Sequence, residues 1–271
     1  MDINDRLADG LLLLGCGKMG SAMLAGWLDQ GIDPENIWIT EPNPSEWLKS
    51  LDIHLNEDLP ETVALALIAV KPQMMRQALA QLTDYAGGST VFLSVAAGIS
   101  IDTYENFLGK SASIVRAMPN TPAAIGKGIT AIIGNDSVDA DALRLCQDLL
   151  GAIGQTVRLQ AESQMDAVTG VSGSGPAYVF FMIDALAAAG QSQGLPADLA
   201  MQLAKATVAG AGSLAAQSHE TPEQLRINVT SPNGTTQAGL EVLMHPEGGL
   251  DALMNATVAK AADRSRELSG G

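Results

Sequence analysis

Four consecutive leucines, Leu11–Leu14, open a series of short apolar runs that alternate with stretches of helical period. The runs predict strands at Leu11–Leu14, Ile37–Thr40, Leu65–Val70, Thr90–Val95, Ser113–Ala117, Ile129–Ile133 and Thr156–Leu159. Between them, Met19–Gln30, Gln73–Tyr85 and Val138–Leu150 repeat apolar residues at helical spacing. Such alternation predicts a sheet that is parallel at its start, with helices on both faces. The later strands follow shorter connections and are candidates for antiparallel pairing.

Past Gln160 the pattern is helical throughout. Ser163 with Asp166 reads as a capping box. Pro176 and Pro196 sit where first-turn prolines start helices, and Gly190 and Gly194 fall near the end of the first of these. Thr221, Pro222 and Gln224 form another start signal, with the glutamine able to reach back to its cap. Gly234 and Gly249 precede the last two helical stretches, the final one spanning Leu250–Glu267. The boundary falls near 159–162, giving an α/β half at 1–159 and an all-helical half at 160–271.

Composition agrees with a compact two-domain chain: 271 residues, 46% hydrophobic and 17% charged. A net charge of −15 makes phosphate backbones and anionic membranes poor partners. An anionic small molecule remains compatible if local backbone dipoles hold it. The two cysteines, Cys16 and Cys146, form neither a disulfide framework nor a metal cluster, which fits a reducing cytoplasm. Met1–Asp9 is acidic and polar, unlike a signal-peptide start. Val63–Val70 is far short of the ~20 residues that span a bilayer. The longer stretch Ala177–Gly190 carries Asp184 and reads as a buried helix.

The strand Leu11–Leu14 runs into Gly15-Cys16-Gly17-Lys18-Met19-Gly20 and then into a helix, the context a dinucleotide-binding turn requires. Gly15 permits the turn, Gly17 lets backbone approach a pyrophosphate, and Gly20 allows close helix–sheet packing. The helix start, with Lys18 and Met19, offers free N–H groups to phosphate. The first half therefore reads as a Rossmann-like dinucleotide-binding domain. Glu41 follows the turn by about 20 residues, where an acid accepts from a ribose 2′-OH and repels a 2′-phosphate. It favours NADH over NADPH, the alternative being a solvated strand end. Ala69-Val70-Lys71-Pro72 places Lys71 either beside the cofactor or as a loop cap. Ala96 and Ala97 give a flat ring access to backbone, and Asn120, in the rigid Arg116–Pro122 loop, could contact nicotinamide. Asn56 completes the cofactor-binding candidates.

Two loops stand out in the helical half. Ser172–Tyr178 is small-residue-rich and is either a tight helix corner or a surface for close substrate approach. Asn228–Thr236 gathers the hydroxyls of Thr230, Ser231, Thr235 and Thr236 at a helix N-terminus, which can hold a carboxylate without Arg or Lys. A plain N-cap is the alternative, though it needs fewer hydroxyls.

The segment from Pro222 through Leu225 and Val229-Thr230-Ser231-Pro232-Asn233-Gly234-Thr235-Thr236 to Gly239-Leu240 resembles the signature of pyrroline-5-carboxylate reductases. Ser172–Tyr178, Met118–Pro122 and Ala69–Pro72 resemble further landmarks of that family, so the likeness extends along essentially the whole chain. Asn233 departs from it, standing where the family often has glycine; its tolerance of left-handed backbone is expected to preserve the loop.

The resemblance implies hydride transfer from NADH or NADPH to the C=N bond of Δ1-pyrroline-5-carboxylate, giving L-proline. It implies that the N–H groups of Gly234, Thr235 and Thr236, with the Ser231 hydroxyl, hold the substrate carboxylate. The Thr236 hydroxyl would bond the ring nitrogen, with Val229 and Pro176 bordering the ring. No metal is implied. The helical half would form an interlocked homodimer with the active site between one subunit's cofactor domain and its partner's helices, and dimers could assemble into a decamer of five. His54, His219 and His245 lie outside these motifs and are read as solvent-facing. Dehydrogenases of the 3-hydroxyisobutyrate or 6-phosphogluconate type use an interdomain lysine, which Ser163–Val171 lacks. A non-catalytic dinucleotide sensor is the rival outside enzymes, and the hydroxyl-rich loop argues against it.

Overall fold

The computed structural model describes residues 3–269, so residues 1–2 and 270–271 at the ends of the expected halves lie outside it. The chain divides into two compact units, Met1–Gly173 with Ala262–Gly271, and Ser174–Ala261.

The first unit is built on an eight-stranded sheet: β1 Leu11–Leu14, β2 Ile37–Thr40, β3 His54–Leu55, β4 Leu65–Ile68, β5 Val91–Ser94, β6 Ser113–Met118, β7 Gly128–Gly134 and β8 Gly154–Arg158. The order is β3-β2-β1-β4-β5-β6-β7-β8, the doubly wound arrangement with its switch point between β1 and β4. Strands β1, β4 and β5 are buried at every position, as strands covered on both faces must be. Strands β1 to β6 pair in parallel; β7 turns antiparallel to β6, and β8 runs parallel to β7.

The helices of this unit are α1 Ile3–Arg6, α2 Lys18–Asp29, α3 Glu46–Lys49, α4 Met75–Ala80, α5 Ile101–Leu108, α6 Ala140–Gly151 and α7 Met165–Val168. Because side chains alternate along a strand, Leu11 and Leu13 join α2 and α6 in one core layer. Leu12 and Leu14 join α4 and α5 in the other. The buried Trp27 indole on α2 donates to the Leu149 carbonyl at 2.8 Å and ties the two helices of the first layer together.

Some local expectations change. The helix expected at Gln73–Tyr85 divides into a 3-10 turn at Pro72–Met74, α4, and a second turn at Thr83–Tyr85. Thr83 donates its hydroxyl to the Ala80 carbonyl where α4 ends. Ser163 lies inside a 3-10 turn rather than capping one, and the Gln164 side chain instead accepts from the N–H groups of Gln160 and Ala161. His54 is not simply solvent-facing: it stacks on Trp38 at 4.4 Å, and its ring contacts Glu57. His219 and His245 are exposed.

The second unit contains α8 Gly175–Ser192, α9 Ala197–Gln217, α10 Pro222–Asn228, α11 Thr235–Leu243 and most of α12 Leu250–Ser269. Helices α8 and α9 pack through Ala187, Ala200 and Ala204. Pro176 stands in the first turn of α8, and Thr221 caps α10 by accepting from the Gln224 N–H. The Gln224 side chain bonds Asn228 rather than its cap. The stretch expected to be a buried helix, Ala177–Gly190, is instead largely exposed: Phe180 is 60% and Phe181 73% accessible. Its composition is apolar on nearly every face, so the small alanine core beneath it leaves most of that surface uncovered.

Candidate functional site

The glycine-rich turn separates two reasons for glycine. A side chain at Gly15, whose φ is +85°, would lie 2.8 Å from the Ala69 carbonyl oxygen, and one at Gly20 would lie 2.7 Å from the Gly15 oxygen. Both glycines are required by the chain itself. A Cβ on Gly17 would meet nothing within 4 Å, and its φ of −71° suits any residue. Open space above Gly17 is the cradle a pyrophosphate requires, and this fits the turn to a dinucleotide. Gly17 caps α2 without a side-chain bond, and the N–H groups of Lys18 and Met19 take no acceptor among the described residues. Burial pushes the Cys16 thiol up, with the Ser21 hydroxyl opposing the shift and Glu41 adding to it, so the turn carries no thiolate charge at neutral pH.

Glu41, just past β2, braces this turn. One carboxylate oxygen accepts from the Cys16 N–H at 2.8 Å and the other from the Asn43 N–H at 2.9 Å. Each oxygen retains a further lone pair for a ribose hydroxyl. Asn56 holds Glu41 in turn: its amide accepts from the Glu41 N–H and donates to the Glu41 carbonyl, at 2.9 and 3.0 Å. Asn56 adopts φ +56° to do this. Beside them, Leu14, Thr40, Pro42, Val70, Met74 and Gln77 line a cleft over the ends of β1, β2 and β4, with space for a flat apolar group such as a base. Pro42, Met74 and Gln77 were not among the expected site residues. Pro42 follows the end of β2, whereas Met74 and Gln77 reach the cleft only because the Pro72–Met74 turn and α4 fold back beside β4.

Ala69 and Val70 follow β4, with Lys71 exposed at the cap of the Pro72–Met74 turn. Ala96 is buried after β5, while Ala97 faces solvent. Asn120 is committed to the backbone: Oδ1 accepts from the Ile129 N–H at 2.9 Å, and Nδ2 donates to the Ser172 carbonyl at 3.1 Å. Ser172 lies in a π-helical turn, Thr169–Gly173. Four residues on, where a helical N–H would serve that carbonyl, stands Pro176, which has none. Asn120 therefore supplies the donor that the proline cannot.

In the second unit, Asn233 has φ +58°, keeping the left-handed turn that glycine would otherwise supply. Gly234 caps α11, and its own N–H donates to the Ser231 carbonyl at 3.0 Å. The N–H groups of Thr235 and Thr236 take no acceptor among the described residues. Of the four hydroxyls, Thr230 donates to the Arg226 carbonyl, whereas Ser231, Thr235 and Thr236 make no hydrogen bond among the described residues. Val229 is 66% exposed beside them. Uncommitted hydroxyls and N–H groups at one helix start can receive an anion.

A doubly wound sheet with an open glycine cradle, joined to helices that cannot bury their own apolar faces, defines a dinucleotide-binding oxidoreductase with a helical dimerisation half. Two family models match: pyrroline-5-carboxylate reductase dimerisation over residues 162–268, and NADP oxidoreductase, coenzyme F420-dependent, over 11–98. A pyrroline-5-carboxylate reductase of Pisum sativum is 39% identical, covering 99% of this chain and 100% of its own. One from Synechocystis is 41% identical, over 94% and 97%. The structure of the Coxiella burnetii pyrroline-5-carboxylate reductase superposes with a TM-score of 0.89 at 31% identity, covering 96% of this chain and 98% of the other. That of the Plasmodium falciparum enzyme, with NADP bound, gives 0.81 at 28%, over the same shares. The chain belongs to the pyrroline-5-carboxylate reductase family.

Proposed function

We propose that the protein reduces Δ1-pyrroline-5-carboxylate to L-proline, the last step of proline biosynthesis, in the cytoplasm. The observation that carries this is the Val229–Thr236 loop, whose Ser231, Thr235 and Thr236 hydroxyls stay uncommitted at a helix start in a chain of this family. The Thr235 and Thr236 N–H groups and the Ser231 hydroxyl bind the substrate carboxylate, with Gly234 shaping the turn through its bond to Ser231. The Thr236 hydroxyl bonds the ring nitrogen, and Val229 and Pro176 border the ring. The reduced nicotinamide supplies hydride to the carbon of the C=N bond. An iminium carbon is already electrophilic, so what the chain contributes is mainly orientation and exclusion of water.

Gly15, Gly17, Lys18, Met19 and Gly20 take the pyrophosphate, Glu41 and Asn56 the adenosine ribose, and Ala69 to Pro72 the strand end beneath it. Ala96 and Ala97 take the nicotinamide side, with Asn120 holding the backbone through Ile129 and Ser172. Glu41 favours NADH: two like charges about 4 Å apart repel by about 1 kcal/mol in water and about 4 at a protein surface. Steady-state reduction of pyrroline-5-carboxylate with each cofactor is expected to show kcat/KM at least ~10-fold higher with NADH. A preference for NADPH removes Glu41 from this role, and no turnover with either cofactor refutes the reaction.

Thr236→Ala is expected to lower kcat by ~100-fold or more, within the range for a positioned proton donor, while the cofactor Kd stays unchanged. A wild-type kcat in this variant would exclude the Thr236 hydroxyl from the ring-nitrogen contact. The homodimer assembles further, as a decamer of five dimers.

A further inference from the structure

Arg116 is a cation buried near the ligand end of the sheet. It lies in β6, 6% exposed, aligned with Ser94 of β5 and Ile133 of β7. Its Nη1 donates to Glu162 Oε1 at 2.5 Å, and the same oxygen accepts from the Ile101 N–H at 2.9 Å. Ile101 begins α5, whose first-turn N–H groups have no helical partner. Ser100 caps Thr103, and Glu162, brought in from far along the chain, caps Ile101.

Both ends of the Val95–Ser100 loop are thereby anchored. At its start, the Ser94 hydroxyl accepts from the Ala96 N–H at 3.2 Å and contacts the buried Tyr104 hydroxyl at 2.5 Å. Burial pushes that hydroxyl up to about 12, so it stays neutral and ties α5 to β5. At its end stands Glu162. Between these anchors lie Ala96, Ala97 and Gly98, the last with φ +77°. Desolvating a carboxylate and a guanidinium costs about as much as their attraction returns, and an apolar pair of similar volume would stabilise the unit as well. Stability alone does not account for ions in this place.

We propose that Arg116 and Glu162 are positioning residues for hydride transfer, fixing the Val95–Ser100 loop so that the Ala96–Ala97 backbone holds the nicotinamide ring. The proposal rests on the assignment of Ala96 and Ala97 to that ring. It separates the two halves of the cofactor: the pyrophosphate turn lies at β1, whereas the braced loop lies after β5.

ADP-ribose, which carries the adenosine, pyrophosphate and ribose but no nicotinamide, is the probe. In Glu162→Ala, affinity for NADH is expected to fall ~10-fold or more and kcat by up to ~100-fold, the scale of a ~1 Å misplacement, with ADP-ribose Kd within twofold of wild type. Glu162→Gln keeps an acceptor for Ile101 without the charge and is expected to fall between the two. The double variant Arg116→Met, Glu162→Leu refills the space with apolar groups; it is expected to keep the wild-type Tm and still show the NADH defect. Equal losses for NADH and ADP-ribose, or an NADH affinity within twofold of wild type in the double variant, would overturn the proposal. The binding ratio needs no substrate, so failure of the reductase assay and failure of this proposal are read from separate measurements.

Discussion

Gly17→Val is expected to leave the protein folded with an unchanged Tm and to reduce NADH affinity at least ~100-fold, about 2.8 kcal/mol. The two parts of this result have separate causes. Gly17 has an ordinary φ and empty space around its missing Cβ, so valine costs the free chain little. In the proposed binding mode the pyrophosphate approaches the Lys18 and Met19 N–H groups through the same space, and an isopropyl group would stand in it. Gly15→Ala makes the contrast. Its φ of +85° and the Ala69 oxygen 2.8 Å from the new carbon force strain on the fold itself, at ~1–2 kcal/mol for the left-handed backbone alone. One variant is stable and does not bind; the other is destabilised before binding is asked of it. Thermal unfolding and fluorescence titration separate them, and NADH affinity within threefold of wild type in Gly17→Val would remove the cradle from the site.

The same turn shows what sequence can carry. Leu11–Leu14 followed by Gly15, Gly17 and Gly20 is a local pattern whose requirements are all met within ten residues of chain. The strand, the turn and the helix start were therefore legible. Glu41 was legible as a position and not as a set of bonds: that its carboxylate holds the Cys16 and Asn43 N–H groups depends on where β2 lies beside β1. Asn120 is the clearest limit. The sequence offers it to the nicotinamide, whereas its amide joins Ile129 to the Ser172 carbonyl that Pro176 leaves without a donor. That partnership spans fifty-two positions, and no periodicity reports it. The two-residue strand β3 escaped notice because it forms through a long-range partner, Trp38. Helix α5, by contrast, did carry a local signal, with Ser100 as its cap and Ile101, Tyr104 and Leu108 at helical spacing. The Val229–Thr236 loop was legible as a family likeness, and the structure adds that Thr230 and Gly234 are already committed while Ser231, Thr235 and Thr236 are not.

Phe181→Asp is expected to convert the assembled protein to monomer and abolish turnover. Helix α8 explains why. Within the long helical run Glu162–Ser192, apolar enough by length and composition to cross a membrane, only 6% of the most apolar window is buried. Phe180, Phe181, Leu203, Leu214, Val242 and Leu253 are each more than two-fifths exposed. A stable monomer does not leave such a surface to water, since covering each large side chain returns ~1.5–3 kcal/mol. The matching dimerisation model spans 162–268, which supports a second copy of the chain as the cover. In a twofold-symmetric seam every substitution occurs twice. Two aspartates therefore replace two buried rings, and each must lose its hydration or expel its partner, a penalty of several kcal/mol per charge. Sedimentation of the wild-type protein without detergent is expected to show a dimer or a multiple of it, and of Phe181→Asp a monomer that is soluble and inactive. An unchanged mass in the variant would place the seam elsewhere on the helical unit, and a wild-type protein that sediments as a monomer or requires detergent would refute a second copy as the cover for α8.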